Sequence, residues 1–266
     1  MNSGRLMILF LLILIAAVVD TVNTALGNQT FFDNSLWMLY GLAFVLLAVI
    51  IISFVFRNQS QKKYLKHLED DSDIPEHSLG DNQYFYQSPL YMVDNQPIKI
   101  YGQTRMKYML YFNNSLQKWL SILGIFPVYG LVLESSDYKI QLSPVNPLLP
   151  RYRYNVYIND EKSGYFESKK VIKDKAAKKL LSYRFTDDKK EYDFNNDYLS
   201  FDAVISPHDS EENILKADRS FFDLSREKGT KRRGEKHNIE IENHTDDFPH
   251  ALWIALYAQV MINKNR

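Results

Sequence analysis

Apolar residues fall along this chain in three different patterns, and each predicts a different element. Near the N-terminus they are continuous. From Leu6 to Val19 the run LMILFLLILIAAVV is unbroken hydrocarbon, and it reaches Leu26 through Asp20, Thr21, Val22, Asn23, Thr24 and Ala25. A second run, Leu36 to Phe56, carries no charge over its 21 residues. As a helix rising 1.5 Å per residue it would be about 31 Å long, the thickness of a bilayer's hydrocarbon core. A helix apolar on every side has no place on a wet surface. The pattern predicts two transmembrane helices, at about 6–26 and 36–56. The first run has a second reading. Arg5, a 14-residue apolar stretch and Ala25-Leu26-Gly27 also resemble a cleavable signal peptide. Cleavage would leave only a short stub before the next span, which favours an uncleaved helix. Asp20 and Asn23 would then lie near its outer end, within reach of water and head groups.

Beyond the second span the apolar positions alternate with polar ones. Ile98–Tyr101 and Lys107–Phe112 are short aromatic and β-branched runs. Val128–Glu134 and Tyr138–Leu142 flank a turn at Ser135-Ser136-Asp137. Tyr152–Ile158 turns at Asn159-Asp160-Glu161 into Gly164-Tyr165-Phe166, and Leu181–Phe185 turns into Glu191–Phe194. Tyr198–Ile205, Ile214–Ala217 and Asn238–Glu242 continue the series. Regular strands with polar turns predict an antiparallel barrel or sandwich. Leu116–Phe126 interrupts it with helical spacing at Leu116, Trp119, Leu120 and Leu123.

The third pattern closes the chain. From Phe248 to Ile262, 12 of 15 residues are apolar, after Asp246-Asp247 and with Pro249 suited to a first helical turn. The run is too short to span a bilayer and too apolar to lie exposed, so it predicts a helix buried on nearly all sides. One architecture that accommodates it is a closed antiparallel β-barrel around this hydrophobic C-terminal helix. The chain then divides into a transmembrane hairpin (1–57), a charged linker (58–83) and a β-barrel domain (84–266).

Charge orients the hairpin. Arg57, Lys62, Lys63 and Lys66 follow the second span at once, whereas the 27–35 link carries only Asp33. Basic flanks stay in the cytoplasm, which predicts a multi-pass cell-membrane protein with a cytoplasmic domain. The basic residues of 57–68 also suit anionic head groups, at about 1 kcal/mol each. Glu69, Asp70, Asp71, Asp73, Glu76 and Asp81 then reverse the sign, reading as a solvated linker. With 32 basic and 32 acidic residues overall there is no general attraction to nucleic acid. The absence of cysteine excludes disulfides, Cys-type zinc sites and a thiol nucleophile.

In KYMLYFNNSLQKWLSI, YNVYINDEKSGYF, ADRSFFDLSREKGTKRRGEKHNIEIE and the closing DDFPHALWIALYAQVMI, residues 96–264 resemble the tubby C-terminal-like family, also called LURP-one-like, in particular its small bacterial members. The resemblance implies a twelve-stranded barrel around a C-terminal helix, mostly without enzymatic activity. It also implies binding of phosphoinositides in the animal members and action on membranes in the scramblase relatives. This chain departs from the animal pattern in having its own anchor, and no Lys/Arg motif matches the lipid site position by position.

Lys228, Lys231, Arg232, Arg233 and Lys236 form the densest basic cluster, in KGTKRRGEKH. Guanidinium groups there can bind phosphate bidentately, against the alternative of a solvated loop. Lys169, Lys170, Lys173, Lys175, Lys178 and Lys179 read as a solvated face. His208 beside Asp209, and His244 with Asp246, Asp247 and His250, lack any metal-site spacing and read as surface or capping groups; His67, His77 and His237 carry no motif. No nucleophile elbow, P-loop or dinucleotide motif occurs, and no cofactor is implied. The expectation is a non-enzymatic binding or scaffold protein whose barrel contacts anionic lipid or a membrane-protein partner. Two alternatives are a membrane-bound enzyme with a pocket assembled from distant strands, and an accessory subunit whose hairpin, with Asp20, packs in a larger complex.

Overall fold

Twelve of the alternating segments form strands, each placing one set of side chains inward and the other outward. The computed structural model describes residues 3–27, 29, 36–69, 79–88, 96–122, 128–145, 152–169, 180–197, 202–210, 212–220, 235–243 and 247–264. The strands are β1 (Gln83–Ser88), β2 (Ile98–Gly102), β3 (Met106–Tyr111), β4 (Gly130–Glu134), β5 (Lys139–Pro144) and β6 (Arg153–Ile158). They continue as β7 (Glu161–Ser168), β8 (Leu180–Thr186), β9 (Glu191–Asp197), β10 (Ala203–Pro207), β11 (Leu215–Ser220) and β12 (Glu235–Ile241). Each pairs antiparallel with its neighbours in sequence, and β1 pairs with β12 through Gln83↔Glu240 to Ser88↔Glu235, closing the barrel. Closure removes the free edges on which an open sheet would aggregate.

The interior is filled, not hollow. Helix α4 (His250–Lys264) runs inside the barrel with every residue from Ala251 to Asn263 buried. Around it pack the inward residues Tyr86, Leu131, Ile140, Val156, Phe166, Phe185 and Ile239. Trp253 meets Phe185, Tyr192 and Phe248 edge-on at ring-centroid distances of 6.3, 4.9 and 5.8 Å. Gln259, on the same helix, donates from Nε2 to the Tyr129 carbonyl at 3.0 Å, while its Oε1 is buried with no hydrogen-bond partner among the described residues.

Because the strands simply alternate up and down, every connection belongs to one of two ends. At the turn end four of the six links have four residues or fewer. Asn159 and Asp160 take positive φ (50° and 68°), joining β6 to β7 in a two-residue hairpin. A β-bulge follows between Val156 and Tyr157. Gly164 beside it has no room for a side chain, since an added Cβ would lie 2.3 Å from the Thr186 carbonyl. At the loop end the links are longer: 89–97, 112–129, 145–152, 169–179, 198–202 and 221–234.

The helices outside the barrel are α1 (Ser3–Ala25), α2 (Leu36–Glu69) and α3 (Ser115–Ile122), and by packing α3 groups with α1 and α2. Leu6–Ala25 and Leu36–Ser53 are long and apolar enough to cross a membrane, and only 11% of each span is buried in protein. Leu12, Ile15, Phe44 and Ile51 are exposed, unlike the side chains of a core helix. Thr21 Oγ1 and Tyr40 OH meet at 2.8 Å between α1 and α2.

The structure differs from the sequence expectation in three places. Helix α2 runs on to Glu69, through the basic half of the expected linker, whose Gln, Lys and Leu residues favour helix and include no breaker. Strand β1 begins at Gln83, inside that linker's C-terminal boundary. Asp20 is fully buried, not set among head groups; it shares a face with buried Ala17, one turn back on α1.

Candidate functional site

The loop end gathers the ionisable groups of the barrel interior. Glu235 and His237 point inward from β12, Arg219 from β11, Ser88 from β1 and Tyr257 from α4, and all are buried. Arg219 Nη1 donates to Glu235 Oε1 at 3.2 Å, an ion pair with both side chains less than 5% exposed. His237 lies between Ser88 Oγ, 3.0 Å from its Nε2, and Tyr257 OH, 2.8 Å from its Nδ1. Its ring stacks on Tyr86 at 4.3 Å and an interplanar angle of 7°. Burial and the nearby Arg219 charge push the His237 imidazole down to about 3, so it is neutral at physiological pH. Burial first, and the Glu235 charge second, drive the Tyr257 phenol up.

Ser88, His237 and Tyr257 are connected like a nucleophile, a base and an orienting group. An imidazole held to a pKa of about 3 is a poor proton acceptor at neutral pH, however, and these groups saturate one another's hydrogen bonds. The cluster is better explained as a buried hydrogen-bonded network that fixes β1, β11, β12 and α4 together.

Lys264, at the end of α4, donates to Asn196 Oδ1 at 2.6 Å, and burial together with the Arg219 charge lowers it to about 8. Asn263 accepts from Tyr154 OH at 3.0 Å and donates to Tyr183 OH at 3.2 Å. The side chains at the helix end are thereby tied to side chains of β6, β8 and β9.

Of the basic cluster read from the sequence, Lys236 lies on β12, half-buried, paired in register with Gln87 and Ser220. Lys228, Lys231, Arg232 and Arg233 lie outside the described residues, in the 221–234 connection that leaves Ser220 and returns at Glu235. Of the second cluster, Lys169 is described and pairs with Asp193, while Lys170, Lys173, Lys175, Lys178 and Lys179 lie outside the described residues. Both connections join strand ends on the same side of the barrel. Connection 169–179 has six lysines and one aspartate, and 221–234 has five basic and two acidic residues. Over the six loop-end connections basic residues outnumber acidic ones 13 to 5. In the six at the turn end (103–105, 135–138, 159–160, 187–190, 208–214 and 242–249) acidic residues outnumber basic ones 10 to 3. In sequence, then, the connections that join strand ends on one side of the barrel are net basic, and those on the other side are net acidic.

Two further groups on the outer wall were not evident in the sequence. Asp193 accepts from Arg184 Nε at 2.9 Å and from His208 Nδ1 at 2.8 Å, and also pairs with Lys169. Burial alone would raise this carboxyl, but the three donors outweigh it and hold it down to about 2. His208 therefore partners Asp193 from β9, not its sequence neighbour Asp209. A shallow groove of about 480 Å³ crosses β1, β12 and β11, lined by Lys216, Asp218, Asn238 and Glu240. Within it Asn238 donates to Asp218 at 2.9 Å, and Lys216 lies within 3.5 Å of Glu242 beside it. His250 Nδ1 lies 2.9 Å from Tyr84 OH, and Asp247 pairs with Lys190. Among the described residues no three His, Asp or Glu side chains converge on a point where a metal ion could sit. No family model, curated protein or solved structure matches this chain.

Proposed function

We propose that this chain is a two-pass membrane protein with a cytoplasmic, tubby-like barrel that binds anionic lipid without catalysis of its own. The observation that carries the reading is the sequence charge of the connections: those joining strand ends on one side of the barrel are net basic, those on the other net acidic. A barrel filled by its own helix has no interior for a ligand, so recognition falls to its surface. Phosphate-bearing head groups complement the lysines and arginines of the loop end, each worth about 1 kcal/mol near a charged bilayer. Twelve strands closed around a C-terminal helix are also what the tubby resemblance implied, which supports placing the chain with that family.

The test uses the full chain in nanodiscs of neutral phosphatidylcholine, offered vesicles with and without phosphatidylglycerol. Capture by the anionic vesicles should weaken with salt, and should fall in a variant with Lys228, Lys231, Arg232, Arg233 and Lys236 changed to Gln. Unchanged capture by that variant would remove lipid contact from this cluster and leave a protein partner as the ligand.

A further inference from the structure

Helix α3 is inside out. Leu116 and Trp119, one turn apart, are 69% and 63% exposed, whereas Gln117 and Ser121, also one turn apart, are 5% and 0% exposed. A helix on a water-facing surface shows the reverse, polar outside and apolar within. Lys118 is half-buried and has a stem long enough to carry its ammonium group to the edge of an apolar layer. Eight residues rise only about 12 Å, too short to cross a bilayer. Apolar residues and a Trp on the outward face of a short helix match one that lies flat at the head-group level. The packing agrees, since α3 groups with α1 and α2, the two helices whose outward surfaces are also apolar.

We infer that α3 is a third membrane contact, an interfacial helix that inserts Leu116 and Trp119 into the bilayer holding α1 and α2. This rests on the reading that α1 and α2 span that bilayer. The chain then meets the membrane a second time between β3 and β4, after the linker has left it. The occupant of the exposed face is lipid, because an apolar helix face in the same packed unit as two apolar spans shares their solvent.

The chain has no cysteine, so single cysteines are unique labels. An environment-sensitive fluorophore is placed at Leu116→Cys, Trp119→Cys, Phe44→Cys in the middle of the apolar span Leu36–Ser53, or Ser136→Cys in an exposed barrel turn. Each full-length protein is reconstituted in phosphatidylcholine–phosphatidylglycerol vesicles. Quenching is then compared for nitroxide lipids labelled near the head group, nitroxide lipids labelled deep in the chain, and aqueous iodide. Label 44 should lose its signal to the deep nitroxide and label 136 to iodide. Labels 116 and 119 should lose theirs mainly to the head-group nitroxide. If 116 and 119 follow 136 while 44 stays lipid-quenched, α3 lies in water and the inference falls with the hairpin reading intact. Labels at 116 and 119 that resist every quencher would mean protein covers the face, which also overturns it. Failure of lipid to quench label 44 would overturn both readings.

Discussion

At the residue scale, His237 ties the interior of the barrel to pH. Its neutral ring bridges Ser88 and Tyr257 and stacks on Tyr86, while Arg219 and Glu235 supply the nearest charges. Above about pH 6.5 the ring is neutral both folded and unfolded, and stability is complete. As pH falls below that value the unfolded chain takes up a proton that the folded barrel, with its imidazole held to about 3, refuses. Stability should therefore fall towards pH 3 by up to about 1.4 kcal/mol per pH unit. Asp193 acts in a separate, more acidic window. Its folded pKa of about 2 contributes stability above the ordinary carboxylate value of 3.8, lost as pH drops through about 2. Thermal unfolding of the detergent-solubilised chain, followed by near-UV circular dichroism between pH 4 and 7, isolates the histidine. His237→Gln should flatten the slope over that range, and a slope equal to the parent's would refute the assignment. Nothing near His237 in sequence marks it, because Ser88 lies 149 residues away and meets it only when β1 closes onto β12.

Individual elements were legible to the extent that their pattern was local. Helix α4 announced itself because 12 of 15 apolar residues exceed what one helix face can hold, and Pro249 marked its start. The β4–β5 and β6–β7 hairpins showed as alternation around Ser135-Ser136-Asp137 and Asn159-Asp160. Strand β1 was less legible, since QYFYQS directly follows an acidic stretch, although a turn from Gly80 to Gln83 (3.0 Å) marks its start and Tyr84 and Tyr86 both face inward with the period of a strand. The extension of α2 to Glu69 was not legible because the charge reversal after Lys66 reads as a linker, although the Gln, Lys and Leu residues of 57–69 favour helix. The filled interior makes a quantitative claim about α4. Trp253 is 1% exposed within the aromatic cluster of Phe185, Tyr192 and Phe248, so Trp253→Ala opens a cavity that rigid strands cannot close. The expected loss is about 3–5 kcal/mol, a large share of a typical domain's 5–15 kcal/mol. Thermal unfolding should shift down by many degrees, whereas a shift of only a degree or two would mean that the barrel does not depend on its helix for a core.

For the whole molecule, the open quantity is which side of the membrane each part occupies, and the electrostatics commit to an answer. Arg57, Lys62, Lys63 and Lys66 follow the second span, while the link between the spans has only Asp33. Moving four cations across a bilayer against its potential is far harder than moving one carboxylate. The link should therefore lie outside, with the N-terminus and the barrel in the cytoplasm. The continuation of α2 as helix to Glu69 agrees with this, because Arg57, Lys62, Lys63 and Lys66 then follow the apolar run on one continuous helix. Single cysteines again read it out in the otherwise cysteine-free chain. In intact cells of a bacterial host, Gln29→Cys in the link should react with a membrane-impermeant maleimide. Ser136→Cys in the barrel should react only after lysis. The reverse pattern would put the barrel outside and would separate its basic end from the anionic cytoplasmic leaflet. Intact mass of the purified protein settles the first span in the same preparation. Retention of residues 1–27 means an uncleaved α1, whereas a mass corresponding to a start near Gly27 means a signal peptide and a single remaining span. Cleavage would leave the barrel's side unchanged, since α2 alone sets it, but would free Thr21 and Tyr40 from their contact and remove Asp20 from the mature chain. An accessory role for the hairpin through Asp20 would fall with it, while lipid binding by the loop end would stand.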